Sequence, residues 1–163
     1  MDERKPDNLH LTVAAVVEQH DRFLVVEELV HGEKVINQPA GHVEANETLI
    51  NAAIREVNEE TAWHFKPKAI TGVYLWTHPE SGERFLRIVF CGTVHDHDAL
   101  QSLDAGIIRA LWLSRHELAR REALLRSPMV LQAIDDFHNG SRYPLTMFGH
   151  IDLDELTGEA KVV

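Results

Sequence analysis

Three carboxylates lie within five positions of one another, at Glu56, Glu59 and Glu60. They belong to the segment GHVEANETLINAAIREVNEETAW (41–63), whose residues 48 to 61 have the apolar periodicity of an amphipathic helix. Like charges at helical spacing repel one another by roughly 0.2–0.5 kcal/mol per pair. A divalent cation would remove this repulsion, and oxygen ligands of this kind suit Mg²⁺ or Mn²⁺.

The carboxylates avoid the apolar stripe of the predicted helix. At about 100° per residue, the stripe that we expect to face the core consists of Ile50, Ala53, Ile54, Val57 and Thr61. Glu59 lies opposite this stripe and is flanked by Glu56 and Glu60. A charged helix face is often simply solvated, so the trio by itself does not establish a metal site.

Three further residues fit a metal site around this helix. Arg55 precedes Glu59 by four positions, where it can pair with that carboxylate and orient it. Glu47 stands just before the helix, near the positive end of the helix dipole. Gly41 has no Cβ, so its carbonyl can approach a cation closely.

The spacing of these residues is much more specific than the charge cluster alone. In order, the pattern is Gly41, five residues, Glu47, seven residues, Arg55-Glu56, an aliphatic Val57, any residue, and Glu59-Glu60. This pattern resembles the Nudix box, the signature of the Nudix hydrolase family. The glycine that follows the glutamate pair in the box is Ala62 here, and Trp63 replaces an aliphatic residue. Because that glycine would form a left-handed helix cap, which costs alanine about 1 kcal/mol, we expect a differently ended helix with an intact metal site.

The resemblance implies a metal-dependent hydrolase that cleaves phosphoanhydride bonds. In the family, the positions of Glu59 and Glu60 bind the metal, and the Gly41 carbonyl and Glu56 assist. The implied cofactor is Mg²⁺, with Mn²⁺ as the alternative. A water molecule activated by the metal would attack phosphorus. Glu56 is then the candidate general base, Arg55 an orienting residue and Glu47 a supporting one.

The resemblance extends beyond the box to a bacterial phosphatase of the same family, through residues 23–28, 37–49 and 127–145. It implies release of orthophosphate from nucleoside tri- and diphosphates and from thiamine-type diphosphates, including the hydroxymethylpyrimidine diphosphate. One alternative is a Nudix pyrophosphatase that cleaves ADP-ribose or a dinucleotide polyphosphate. Another is a module that binds a nucleotide without cleaving it, although such modules usually lose box carboxylates and this chain retains them.

Five residues outside the box are candidates for substrate contact: Arg87, Trp76, Tyr74, Asp104 and Arg142. Asp104 could supply an additional acidic ligand or serve a turn, and Arg87 could face phosphate or hydrate a sheet face. Trp76 and Tyr74 share a strand face and could stack on a base or pack in the core. Arg142 could close over the substrate or simply pack.

The composition limits the classes of partner. Asp and Glu outnumber Lys and Arg by 26 to 16, a net charge of −10, which argues against a nucleic-acid-binding protein. The single cysteine, Cys91, fits a reducing cytosol. No apolar run reaches the roughly 18 residues of a membrane span, and the polar N-terminus does not resemble a signal peptide. We therefore expect a cytoplasmic protein, as a monomer or small homo-oligomer, that acts on a small-molecule di- or triphosphate.

The predicted elements alternate between strands and helices. Strands are expected at 9–18, 23–30, 35–41, 69–79, 84–95 and 107–114, and helices at 48–61, 114–122 and 127–140. We find no linker that divides the 163 residues, so a single domain is expected over 1–163, with a core at about 9–150 and a variable C-terminal tail. The predicted class is α/β or α+β, a mixed sheet sandwiched between helices.

Overall fold

The computed structural model describes residues 8–153 and 160–162. The strands are β1 (Leu9–Gln19), β2 (Arg22–Val30), β3 (Glu33–Asn37), β4 (Ala40–His42), β5 (His64–Thr77), β6 (Arg84–His95), β7 (Ile107–Leu113), β8 (Ile151–Leu153) and β9 (Ala160–Val162). The α-helices are α1 (Leu49–Thr61), α2 (Arg115–Ala119) and α3 (Met129–His138). Short 3₁₀ turns span Glu122–Leu124 and Leu145–Met147.

Seven strands form one mixed sheet, and β8 pairs separately with β9. The main path runs β3-β2-β1-β6-β5, while β4 pairs with β1 and β7 pairs with β2. Strand β1 runs parallel to β6, and its other pairings are antiparallel. Its N-terminal half pairs with β4, where Val13 lies opposite Gly41. Its C-terminal end pairs with β2, where Glu18 lies opposite Phe23.

Alternate residues of β1 enter two different hydrophobic cores, because successive side chains of a strand point to opposite faces. Val13, Ala15 and Val17 pack with Ala53 and Val57 of α1. On the other face, Ala14 and Val16 belong to the core that contains Leu118 of α2 and Val130, Ala133 and Ile134 of α3. The sheet therefore lies between α1 on one side and α2 and α3 on the other, which confirms the predicted architecture.

Helix α1 begins and ends with well-defined caps. The Thr48 hydroxyl accepts a hydrogen bond from Asn51 N at 3.1 Å. Ala62 takes the left-handed conformation (φ 58°, ψ 16°), and its N–H donates to the Asn58 carbonyl. The expectation of a differently ended helix is therefore wrong: alanine adopts the conformation that glycine would favour. Ala62 is buried, at 2% exposure, and its carbonyl accepts a hydrogen bond from Asp98 N at 3.0 Å.

Several predicted boundaries also need correction. The predicted strand at 35–41 divides into β3 and β4, because the Gln38-Pro39 step interrupts the pairing. Strand β5 begins at His64, five residues before its predicted start, and α2 ends at Ala119. The strands predicted at 9–18 and 23–30 are present as β1 and β2, which form an antiparallel hairpin. Among the described residues, no helix is both long and apolar enough to cross a membrane.

Thr48→Ala should lower the free energy of unfolding by about 1 kcal/mol, because the substitution removes the hydroxyl that caps the site helix. Thr48→Ser keeps an acceptor at that position and should stay close to the wild type. Urea denaturation followed by circular dichroism measures both variants. Equal stability of the alanine and serine variants would show that this cap contributes little.

Candidate active site

Arg55 connects four parts of the site through one guanidinium group. Its Nε and Nη2 donate to the two carboxylate oxygens of Glu47, at 3.0 and 2.7 Å. Its Nη1 donates to Glu56 at 2.7 Å and to Glu59 at 3.1 Å, and Nη2 also reaches the His42 carbonyl at 3.0 Å. The predicted pairing with Glu59 is thus present. Arg55 also ties helix α1 to the preceding loop and to the end of β4.

The bidentate contact with Arg55 changes the charge behaviour of both partners. It lowers the pKa of the Glu47 carboxyl and raises that of the Arg55 guanidinium. Both shifts favour the charged form of the group. Glu47 also accepts a hydrogen bond from Glu44 N at 2.7 Å, which closes the loop before the helix. These contacts fix the loop against the helix, and the supporting role of Glu47 stays a prediction.

Gly41 is required by the close approach of Glu56. A Cβ at position 41 would lie 2.1 Å from Glu56 Oε1 and 2.4 Å from its Oε2. These separations are far shorter than any real contact, and the backbone of Gly41 is fixed by its pairing with Val13 in β1. A side chain at position 41 would therefore push the carboxylate of Glu56 away from β4.

Glu56 and Glu60 are buried, at 7% and 6% exposure, although the helical wheel places them outside the apolar stripe. Two residues of the predicted stripe, Ile50 and Ile54, are only partly buried. The contact face of α1 is thus rotated toward β4, relative to the prediction. Glu59 remains on the open side, with a side chain that is 44% exposed.

Burial also alters the acidity of these carboxyl groups. It raises the pKa of Glu60 to about 9, although the hydrogen bond from Ala40 N, at 2.9 Å, opposes the shift. Burial is likewise the main cause of the raised pKa of Glu56, and the hydrogen bond from Arg55 opposes it. Each group is expensive to ionise unless a cation compensates its charge.

Asp104 lies close enough to Glu56 and Glu60 for its charge to raise the pKa of both. Its backbone N–H donates to the Glu59 carbonyl at 2.8 Å, and its side chain accepts from Ala105 N at 2.9 Å. The structure therefore places Asp104 both in a turn and beside the box carboxylates. This position is compatible with both predicted roles of Asp104, as an additional acidic ligand and as a turn residue.

The donor set around Gly41 fits a divalent cation in chemistry. Among the described residues, no three Asp, Glu, His or Cys side chains converge into a ready-made ligand cluster. However, each of the three box carboxylates uses one oxygen in the hydrogen bonds above, namely Glu56 Oε1, Glu59 Oε2 and Glu60 Oε2. The other oxygen of each carboxylate accepts no hydrogen bond from any described residue. These oxygens are hard donors, which Mg²⁺ and Mn²⁺ prefer.

A cavity of about 620 Å³ opens beside Gly41. Arg87 lies in its wall and is 6% exposed, so it faces the cavity instead of hydrating a sheet face. Its Nε donates to Thr12 Oγ1 at 3.4 Å and its Nη1 to Asn37 Oδ1 at 3.3 Å. Trp76 also lines this cavity.

Tyr74 and Arg142 do not line this cavity, in contrast to their predicted role. Tyr74 shares a strand face with Trp76, but helix α3 covers it, and its hydroxyl donates to Asp136 at 2.7 Å. Arg142 stacks over the ring of Phe137 at 3.8 Å and donates to the Phe137 carbonyl. Both side chains pack against α3, in agreement with the alternative prediction that they serve packing and not substrate contact.

Sequence reasoning missed several polar residues of the cavity wall: Glu28, Asn37, His42, Arg126 and Ser127. Asn37 connects two of the charged groups, because it accepts from Arg87 and donates to Glu28 Oε1 at 3.3 Å. Ser127 precedes a proline at the predicted start of a helix. That position is the one local signal that could have drawn attention to it.

A NUDIX domain matches residues 8–133 of the chain. Together with the box geometry and the sheet between helices, this match shows that the chain belongs to the NUDIX family of hydrolases, which act on phosphoanhydride bonds. Enzymes of this family generally use divalent metal ions.

Among curated proteins, the chain is similar to Phosphatase NudJ of Escherichia coli (strain K12). The two are 41% identical over 140 residues, which cover 86% of this chain and 90% of the relative. Among solved structures, a NUDIX hydrolase from Nitrosomonas europaea is 46% identical with a TM-score of 0.85, covering 86% of this chain and 96% of that one. The NUDIX domain of Shewanella oneidensis NrtR, solved with ADP ribose, is 18% identical with a TM-score of 0.63 and covers 84% of this chain and 93% of that one; it shares the fold alone.

Glu60→Gln should flatten the pH dependence of stability in the absence of divalent metal. Because the pKa of Glu60 is raised from 4.5 to about 9, its protonated form stabilises the fold, and this contribution is complete below pH 4.5 and lost as the pH rises through about 9. Wild-type stability should therefore fall over this range, by up to about 1.4 kcal/mol per pH unit. A glutamine has no proton to lose, so the variant should lack that component.

Urea denaturation in EDTA, at several pH values between 4.5 and about 9, measures this difference. Glu44→Gln is the control, because Glu44 is an exposed carboxylate of the adjoining loop (67%). The control should keep the wild-type slope. If the free energy of unfolding of Glu60→Gln changes with pH as steeply as that of the wild type, burial of Glu60 does not govern the pH dependence of stability.

Proposed function

We propose that this NUDIX hydrolase is a Mg²⁺-dependent phosphatase that releases orthophosphate from nucleoside tri- and diphosphates and from thiamine-type diphosphates. The observation that carries the proposal is the 41% identity to Phosphatase NudJ, over 90% of the length of that relative. The retention of Glu47, Glu56, Glu59 and Glu60 supports a catalytic protein over a nucleotide-sensing module.

In this proposal Glu56, Glu59, Glu60 and the Gly41 carbonyl hold the cation. A bound Mg²⁺ supplies charge neutralisation of phosphate oxygens and lowers the pKa of a coordinated water. Arg55 restrains Glu56 and Glu59 through its two contacts from Nη1. Because burial makes the Glu56 carboxylate more basic than an exposed one, Glu56 is the group proposed to take a proton from the attacking water.

An aromatic wall in the cavity supports a substrate with a flat ring. Trp76 and Phe85 lie side by side with ring centroids 5.7 Å apart, and both line the cavity. His10 stacks on Phe85 at 4.8 Å, which keeps that ring in place. A nucleobase or a pyrimidine could pack against Trp76 at this wall, while its phosphates extend toward Gly41.

Glu59→Gln should reduce kcat by about two orders of magnitude or more, because it removes one charged ligand of the proposed cation. Glu59 is partly exposed, so the fold should survive, as circular dichroism and thermal denaturation would show. Glu33→Gln, an exposed glutamate at the start of β3, is the matched control and should keep full activity. Near-normal turnover of Glu59→Gln would count strongly against the proposed site.

A substrate screen with product identification tests the specificity directly. Thiamine diphosphate, a nucleoside triphosphate, ADP-ribose and a dinucleotide polyphosphate are incubated with Mg²⁺, and the products are separated by chromatography. Orthophosphate is expected from the first two substrates, EDTA should abolish its release, and added Mg²⁺ should restore it. Cleavage of ADP-ribose alone would refute the phosphatase proposal, and activity indifferent to EDTA would refute the role of the metal.

A further inference from the structure

The wall of the cavity formed by the start of α3 has the features of an anion site. Helix α3 has ten residues, and its N-cap, Pro128, provides no side-chain hydrogen bond to the first turn. Ser127 and Met129, on either side of Pro128, both line the cavity. The exposed N–H groups of a helix N-terminus, with the positive end of its dipole, attract anions.

Ser127 provides an independent indication of a ligand. It is 5% exposed, and its Oγ is buried without a hydrogen-bond partner among the described residues. A buried hydroxyl that lacks a partner costs about 1–3 kcal/mol. Since Ser127 lines the cavity at the helix terminus, an anion bound there would supply the missing acceptor.

Two arginines complete the positive charge of this wall. Arg87 bonds only to the neutral acceptors Thr12 and Asn37, and Arg126 makes no side-chain ion pair within the described residues. Burial is the main cause that lowers the pKa of Arg87 to about 10; the charge of Glu28 opposes this shift and the charge of Arg126 adds to it, so Glu28 and Arg126 both lie near the Arg87 guanidinium. Within the part of the chain that the structure describes, neither guanidinium is in direct contact with a carboxylate, so an anion in the cavity can contact both.

Negative groups share the same cavity and limit the kind of anion that fits. Glu28, Glu80 and Glu83 line it, and Glu28 attracts Arg87 from across Asn37. A singly charged anion would gain little net binding free energy in this cavity, because these carboxylates repel it. A phosphate with a free end carries up to two negative charges and three peripheral oxygens, enough for two arginines, a hydroxyl and backbone N–H groups.

We propose that Arg87, Arg126, Ser127 and the N-terminus of α3 form a subsite that binds the terminal phosphate of the substrate. This subsite rests on the proposed function in one respect only, which is that a phosphate chain occupies the cavity beside Gly41. It selects substrates whose phosphate chain ends in a free phosphate. Diphosphates capped at both ends, such as ADP-ribose, lack the second charge and the third free oxygen at that position.

Binding of inorganic phosphate in EDTA tests the subsite without catalysis. Isothermal titration calorimetry compares wild type with Arg126→Gln and Ser127→Ala. Arg126→Gln should weaken phosphate binding about tenfold or more, because it removes a charge-assisted contact, and Ser127→Ala should weaken it severalfold. Undiminished phosphate binding by both variants, or no phosphate binding by the wild type, would overturn the subsite.

Two control variants match these changes elsewhere in the chain. Arg120→Gln removes an exposed arginine at the end of α2, and Thr71→Val removes a hydroxyl that is also buried without a partner but does not line the cavity. Both should bind phosphate as the wild type does. If Arg120→Gln and Arg126→Gln lose phosphate binding equally, the loss comes from the change in net charge of the protein, and the subsite is overturned.

Steady-state kinetics then separates a free phosphate end from a capped one. Arg126→Gln should raise KM for a nucleoside triphosphate about tenfold with little change in kcat, and should leave KM for any capped diphosphate that is cleaved unchanged. An equal rise for both substrates would overturn the preference for a free end. If the wild type binds phosphate in the predicted way but cleaves no phosphoanhydride, the proposed function fails and the anion subsite stands.

Discussion

The guanidinium group of Arg55 is the interaction on which the site depends. One planar group with five N–H donors reaches Glu47, Glu56, Glu59 and a backbone carbonyl of β4. It therefore sets the distance between the loop, the helix and the sheet, and at the same time offsets the repulsion among acidic side chains on α1. A lysine could not make this set of contacts, because an ammonium is a compact point charge without the planar fork.

Arg55 does not neutralise every carboxylate, and the exception is informative. Glu60 faces β4, receives one hydrogen bond from Ala40 N and has no ion pair among the described residues. The fold thus keeps a desolvated carboxyl beside Gly41, where Glu56 also approaches the backbone. A helix in a protein without a ligand would gain stability from an apolar residue at this position. The charge repulsion on α1 is explained if a cation belongs there.

The cavity beside Gly41 is lined by groups of opposite charge, with Arg87 and Arg126 beside Glu28, Glu80 and Glu83. Glu56 and Glu60, which are suited to a cation, lie against Gly41 and Ala40 of its wall. A polyphosphate is negative along its whole chain, so an acidic protein needs positive charge at more than one point to hold it. In the proposed function, a cation would neutralise one part of the phosphate chain and the arginines another, while the aromatic wall would receive a ring.

The amino-acid sequence by itself determined the box, the helix that carries it, the pairing of Arg55 with Glu59 and the class of the fold. These features follow from spacing of a few residues along the chain, which local geometry converts directly into structure. Only the tertiary structure decided that Glu56 and Glu60 are buried, because the contact between α1 and β4 depends on how the helix is rotated. It also decided that Trp76 lines the cavity while Tyr74, on the same strand face, is covered by α3. Arg87 lies on β6, whereas Arg126 and Ser127 lie next to each other just before α3. The approach of these two segments arises from sheet order and helix packing, which no local spacing encodes.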